Sequence, residues 1–142
     1  MSDITLATEE GKIDLSRPTG TDLSSSQYYI VKHDSSEEVV LSGAADSSLG
    51  VLQNAPDGST NEATAQVRVQ GITKVKAAAT VAFGDYITPD ASGTAVVATA
   101  GQEFMAKALG SGDSGDLLAV QLMFGQVDTP SVQLMFGQVD TP

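Results

Sequence analysis

The sequence predicts a mainly β fold, a sandwich or small barrel, on three observations. Short runs of β-branched and aliphatic residues are punctuated by turn signals about every 8–12 residues, the spacing of all-β domains rather than of βαβ units. One long stretch, TAQVRVQGITKVKA, alternates with a period of two: Ala65, Val67, Val69, Thr73, Val75 and Ala77 share one parity, and Gln66, Arg68, Gln70, Lys74 and Lys76 the other. Helical periodicity is almost absent; only AGQEFMAKAL could form a short helix, and it reads equally well as a strand.

The elements follow in order. Residues 1–26 scatter Ile4, Leu6, Ile13, Leu15 and Leu23 among Ser, Thr, Asp and Glu. Pro18 and Gly20 interrupt any helical period, so this segment reads as an extended N-terminal arm, too poor in apolar surface to order alone. Residues 27–125 form the β-rich body. QYYIVK, EEVVLS and LGVLQ are its first strands, and NAPDGST leads into the long alternating stretch, where Gly71 marks a bulge or bend and Ile72 is the exception. VAFGDYI places a turn at Gly84–Asp85, and TPDASG supplies another before TAVVATA. EFMAKAL and DLLAVQLMF close the body across GSGDSG, with Leu118, Val120, Leu122 and Phe124 expected to face inward. Residues 126–142 are a tail.

That tail repeats itself: Val120–Pro130 returns letter for letter as Val132–Pro142, with Ser131 between. Such exact identity points to a recent duplication, a cloning scar or a copying error more than to an evolved repeat. Pro130 cannot donate to a ladder, so the body is complete before the second copy begins. The second copy is expected at the surface or against a neighbouring chain, because its apolar run would otherwise be an open invitation to edge pairing.

Composition excludes several functions. The chain of 142 residues has room for one modest core. It contains no cysteine, which removes disulfides and thiolate metal sites. The net charge of −11 argues against a nucleic-acid partner, since a phosphate-binding surface needs clustered Lys and Arg. Its longest mostly apolar run, AAATVAF, is far shorter than the ~20 residues that span a bilayer, so no membrane partner is expected. The first residues show no basic segment followed by an apolar one, so no secretory signal is expected.

Candidate chemistry dissolves on inspection. Gly110–Gly115 fits GxGxxG, but the next residues, DLLAVQLMF, read as strand rather than helix, and Asp113 and Asp116 would repel phosphate; it is a hairpin turn. His33 stands alone beside Asp34, and neighbours on an extended chain point to opposite faces, so no triad forms there. Asp57, Asp85, Asp90, Asp113 and Asp116 lack the alternating spacing of a calcium loop and read as turn formers. No pair of acids stands out for glycoside hydrolysis. There remains a cationic stripe, Arg68, Lys74 and Lys76, on the polar parity of the alternating stretch. Its two readings are a solvated sheet face and a contact with an acidic surface.

The order of LGVLQNAPDGSTNEATAQVRVQGITKVKA, VAFGDYITPDASGTAVVATA and AKALGSGDSGDLLAVQL resembles the small decoration (cement) proteins of tailed-bacteriophage capsids. The resemblance spans about Tyr28 to Leu122 and lies in strand and turn order. It implies a small β-barrel, β-tulip-like single domain with an N-terminal arm that clamps onto the shell, and no catalysis or cofactor. It also implies a homotrimer bound to the major capsid protein on the outer surface of the virion, after synthesis in the host cytoplasm. Arg68, Lys74, Lys76, Ile4, Leu6, Ile13 and Leu15 are then the expected intersubunit or capsid contacts. A second class, a carbohydrate-binding or adhesin module on a virion or cell surface, would draw on Tyr28, Tyr29 and Tyr86.

Overall fold

The computed structural model describes residues 11–58 and 63–128. Ten strands run in chain order: β1 (Ile13–Pro18), β2 (Ile30–His33), β3 (Val39–Leu41), β4 (Gly50–Leu52), β5 (Thr64–Gln70), β6 (Ile72–Lys76), β7 (Tyr86–Pro89), β8 (Ala95–Val97), β9 (Glu103–Ala108) and β10 (Leu117–Gln126). They form two five-stranded antiparallel sheets, and the described residues contain no helix. The mainly β expectation holds. A closed barrel does not: in the second sheet the outer strands touch only through a single parallel bridge between Ala77 and Ala95, where Ala78 N–H donates to Ala95 O at 2.8 Å.

The long alternating stretch is not one strand. Gly71, at φ 107°, ends β5 in the first sheet and hands the chain to β6 in the second. Of the expected inward set Ala65, Val67, Thr73, Val75 and Ala77 are buried and Val69 is half-buried, but the apolar side chains among them enter two different cores.

The strand orders are β1-β5-β4-β2-β3 and β6-β10-β9-β7-β8, the same path traced twice. The hydrogen bonds repeat with it. Tyr28 N–H donates to Leu52 O at 2.8 Å, and Gly84 N–H to Ala108 O at 2.9 Å. Ser42 N–H donates to Ile30 O, and Ala98 N–H to Tyr86 O. Leu23 N–H reaches Pro56 O, as Val81 N–H reaches Gly112 O, both at 2.9 Å. In the β2–β3 turn the Asp34 carboxylate accepts from the amides of Ser36 and Glu38; in the β7–β8 turn Asp90 accepts from those of Ser92 and Thr94. Each member of the first core has a counterpart in the larger second one: Leu23, Val31, Val39, Leu52, Ala65 and Val67 match Val81, Ile87, Ala95, Ala108, Leu118 and Val120. Each larger aliphatic among them is worth roughly 1.5–3 kcal/mol of burial.

The halves are joined asymmetrically. Ile30 and Val51 turn away from the first core and complete the second. Around them Ile30 N–H donates to Gly93 O at 2.7 Å, Lys76 N–H to Tyr28 O at 3.0 Å and Ala45 N–H to Pro89 O at 2.9 Å. Gln53 Nε2 donates to Thr73 Oγ1 at 2.8 Å.

Two further expectations change. Part of the predicted arm belongs to the body: β1 pairs with β5 along its whole length and Leu23 is fully buried, because β5 supplies the backbone partners that a sparse sequence needs. Phe124 does not face inward with Leu118, Val120 and Leu122. The β9–β10 register shifts between Leu122 and Gly125, the inward alternation stops there, and Phe124 is 53% exposed. The second copy of the doubled ending lies outside the described residues, as do Ile4 and Leu6.

Candidate interaction surfaces

The expected cationic stripe is divided. Arg68 lies on β5, whereas Lys74 and Lys76 lie on β6 in the other sheet. Arg68 is spent inside the fold: its Nε and Nη2 donate to the two Asp14 carboxylate oxygens at 2.8 and 3.2 Å, and its Nη1 donates to Ile72 O at 2.9 Å. This hydrogen-bonded guanidinium holds the Asp14 carboxyl below its ordinary range, against a smaller opposing effect of burial. Lys74 is exposed, and the Lys76 ammonium sits 6.0 Å from the Tyr29 ring centroid. Arg68 and Lys74 still border one shallow depression with Tyr28, Gln53 and Thr73. Ile13 and Leu15 stand exposed on β1, an edge strand with no partner strand on its outer side among the described residues.

An aromatic group on the second half was not foreseen as a unit. Tyr86 stacks on Phe104 with centroids 4.3 Å apart, and Lys107 Nζ lies 6.0 Å from the centroid of the Tyr86 ring. β7 and β9 bring these residues together, since Tyr86 pairs with Lys107 across the ladder. Beside them a cleft of about 350 Å³ is bordered by Asp46, Ser48, Glu103, Phe104, Phe124 and Gln126. Asp46 is already engaged, accepting from Lys32 Nζ at 2.6 Å and from Gly43 N–H at 2.7 Å, and its carboxyl is held low by those two donors. The sequence signal for this group was the lysine and tyrosine on neighbouring strands, which only the β7–β9 register reveals.

The aromatic group acquires meaning from the repeated fold. Tyr86 and Lys107 occupy the positions that Ile30 and Val51 hold in the first half. Ile30 and Val51 are covered by the second half; Tyr86 is 39% exposed. The same face of the same fold is therefore buried once and open once.

The remaining motifs serve the scaffold. The Gly110–Gly115 segment turns between β9 and β10, and His33 ends β2 in an exposed position. Asp85 and Asp116 accept from the amides of Ala82 and Asp113, as turn-forming acids do. Among the described residues no group of three or more His, Asp or Glu side chains gathers as metal ligands would.

Among solved structures, the fold is similar to the head fiber gp8.5 N base of bacteriophage phi29. The TM-score is 0.64 at 15% identity, and the alignment covers 79% of this chain and 94% of that one. At this identity the likeness is one of fold. No family model matches the chain, and no curated protein matches it in sequence.

Proposed function

We propose that this chain is a non-enzymatic structural component of a tailed-phage head. It acts as a decoration protein that binds the major capsid protein on the outer surface of the shell and stabilises it. The observation that carries this reading is the fold shared with a head fiber base, over nearly the full length of that chain. The strand and turn order of decoration proteins supports it independently.

The shell contact is assigned to Ile4 and Leu6 in the segment before β1, to the exposed Ile13 where β1 begins, and to Lys74 and Lys76, while Leu15 is assigned to contacts between copies. Strand addition to an open sheet edge gives affinity through the backbone with little demand on sequence. Arg68 contributes by holding Asp14, and so β1, in place. The working form is a homotrimer. The test is to add purified chain to shells that lack it and image the particles. Density at regular surface sites in groups of three is expected, and removal of residues 1–10 should abolish binding while leaving the body folded. Shells that emerge bare from saturating protein would refute the reading.

A second reading, a carbohydrate-binding module, is favoured by one feature: the cleft where the Phe104 and Phe124 rings meet Asp46, Ser48, Glu103 and Gln126. Aromatic faces beside carboxylates and amides are the chemistry that holds a sugar ring. A glycan array decides it, with Phe124→Ala abolishing any signal that is specific.

A further inference from the structure

We infer that the chain associates with itself head to tail, repeating between copies the contact that joins its own two halves. The self-association is that of the reading above; the surfaces are new. One is the outer face of the second half, with Tyr86, Lys107, Leu109 and Gln121. The other is the β1 side of the first half of the next copy, with Asp14, Leu15 and Glu37.

The correspondence is fixed by register. Leu15 pairs with Val67 as Thr73 pairs with Val120, so Leu15 is the counterpart of Thr73. Gln53 N–H donates to Gln66 O as Leu109 N–H donates to Ala119 O, so Leu109 is the counterpart of Gln53. Asp14 corresponds to Ile72, and Gln121 to Arg68. Inside the chain Gln53 and Thr73 form a hydrogen bond, and Thr73 is almost wholly covered. Between copies the same place brings Leu109 against Leu15, which is 37% exposed. A polar pair is exchanged for an apolar pair, so both members change in step. Where Arg68 Nη1 donates to the carbonyl of Ile72, the exposed Gln121 has an amide to offer to the carbonyl of Asp14.

Other positions follow suit. Ile30 N–H, which donates to Gly93 O, has Tyr86 N–H as its counterpart, and Gly93 O has Glu37 O. Lys107 and Glu37 are the opposite charges of the two faces, and the Glu37 side chain is 84% exposed, with Arg17 at 3.6 Å as its ion-pair partner among the described residues. One bond cannot repeat. The counterpart of Lys76 is Pro18, which has no N–H to give. The contact between copies is thus the weaker of the two, and it is heterologous, a geometry that closes into rings such as a trimer when the rotation allows.

The absence of native cysteine makes the test direct. Leu15→Cys and Leu109→Cys chains, mixed and mildly oxidised, are expected to form a mixed disulfide dimer; the double variant should form a closed ring or ladder. Gln53→Cys with Thr73→Cys, forming a disulfide within one chain, verifies the geometry. Tyr86→Asp should cut the mixed yield about tenfold, equivalent to ~1.4 kcal/mol. Failure of the mixed disulfide while the internal one forms overturns the contact, and so does a preference of Leu15→Cys chains for cross-linking to one another. Chains that cross-link as expected yet ignore shells overturn only the capsid reading, and chains that bind shells without cross-linking overturn only this one.

Discussion

Glu37 and Gly93 occupy the same left-handed position in equivalent turns, at φ 63° and 81°. The same substitution pattern occurs twice more: Tyr28 at 69° matches Gly84 at 89°, and Ala45 at 56° matches Gly101 at 84°. The second half places glycine wherever the backbone requires it, and the first half carries side chains there at a cost of roughly 1–2 kcal/mol each in the left-handed region. Glu37→Gly and Ala45→Gly are therefore expected to stabilise the protein, by about 0.5–1 kcal/mol each after the extra freedom of the unfolded chain is counted. Urea midpoints at or below that of the parent would contradict this.

Gly50 runs the other way. A Cβ there would stand 2.0 Å from the Arg68 carbonyl oxygen, a backbone atom that cannot move without parting β4 from β5. Its counterpart Ala106 carries a Cβ without difficulty in a fully buried site. Gly50→Ala should cost on the order of 3 kcal/mol or more, and Ala106→Gly only about 1 kcal/mol. Thermal melts of the two variants should differ in that order, and similar melting temperatures would count against the register assigned to β4.

How much of this was legible in the sequence depends on what each residue had to encode. Alternation exposed the inward side chains of β5 and β6, because burial on one face writes itself into every second residue. It could not show that Gly71 transfers the chain between sheets, since parity runs unbroken through the glycine. Phe124 escapes prediction because a register shift leaves no mark in a run of apolar letters. The β1 strand was hidden by its composition, its order coming from β5 rather than from its own side chains. The candidate surface fared similarly: Arg68, Lys74 and Lys76 share a parity but not a sheet. The duplicated ending drew the eye, while the deeper repeat was written in backbone angles and carbonyl partners. A textual trace of it is an Asp followed two residues later by Ser, at Asp34–Ser36 and again at Asp90–Ser92.

Thr88 is buried, and its hydroxyl has no hydrogen-bond partner among the described residues. A buried unsatisfied hydroxyl costs about 1–3 kcal/mol, and valine has nearly the same shape. Thr88→Val is expected to raise stability by about 1 kcal/mol in chemical denaturation. A loss of stability would mean that the hydroxyl has a partner in solution.

The Asp14–Arg68 pair gives the fold a pH dependence of defined sign. Because the folded carboxyl is held below its ordinary value of 3.8, its contribution is fully present above that value and is lost as pH falls through the lowered folded one. With two hydrogen bonds and both side chains largely covered, the pair is worth on the order of 1 kcal/mol. Asp14→Asn should show that deficit at neutral pH and converge on the parent in acid. A deficit that stays constant down to pH ~2 would place its origin elsewhere.

Ile30 and Val51 lend themselves to the second core, and nothing is lent in return: the first core is built entirely from residues that precede Gly71. Dependence therefore runs in the direction of translation. As the chain leaves the ribosome, the core made first needs no apolar residue from the part still to come, and the part made last meets a core already assembled. A circular permutant that reversed this order would be born with its less self-sufficient half in front, waiting for the surface that completes it.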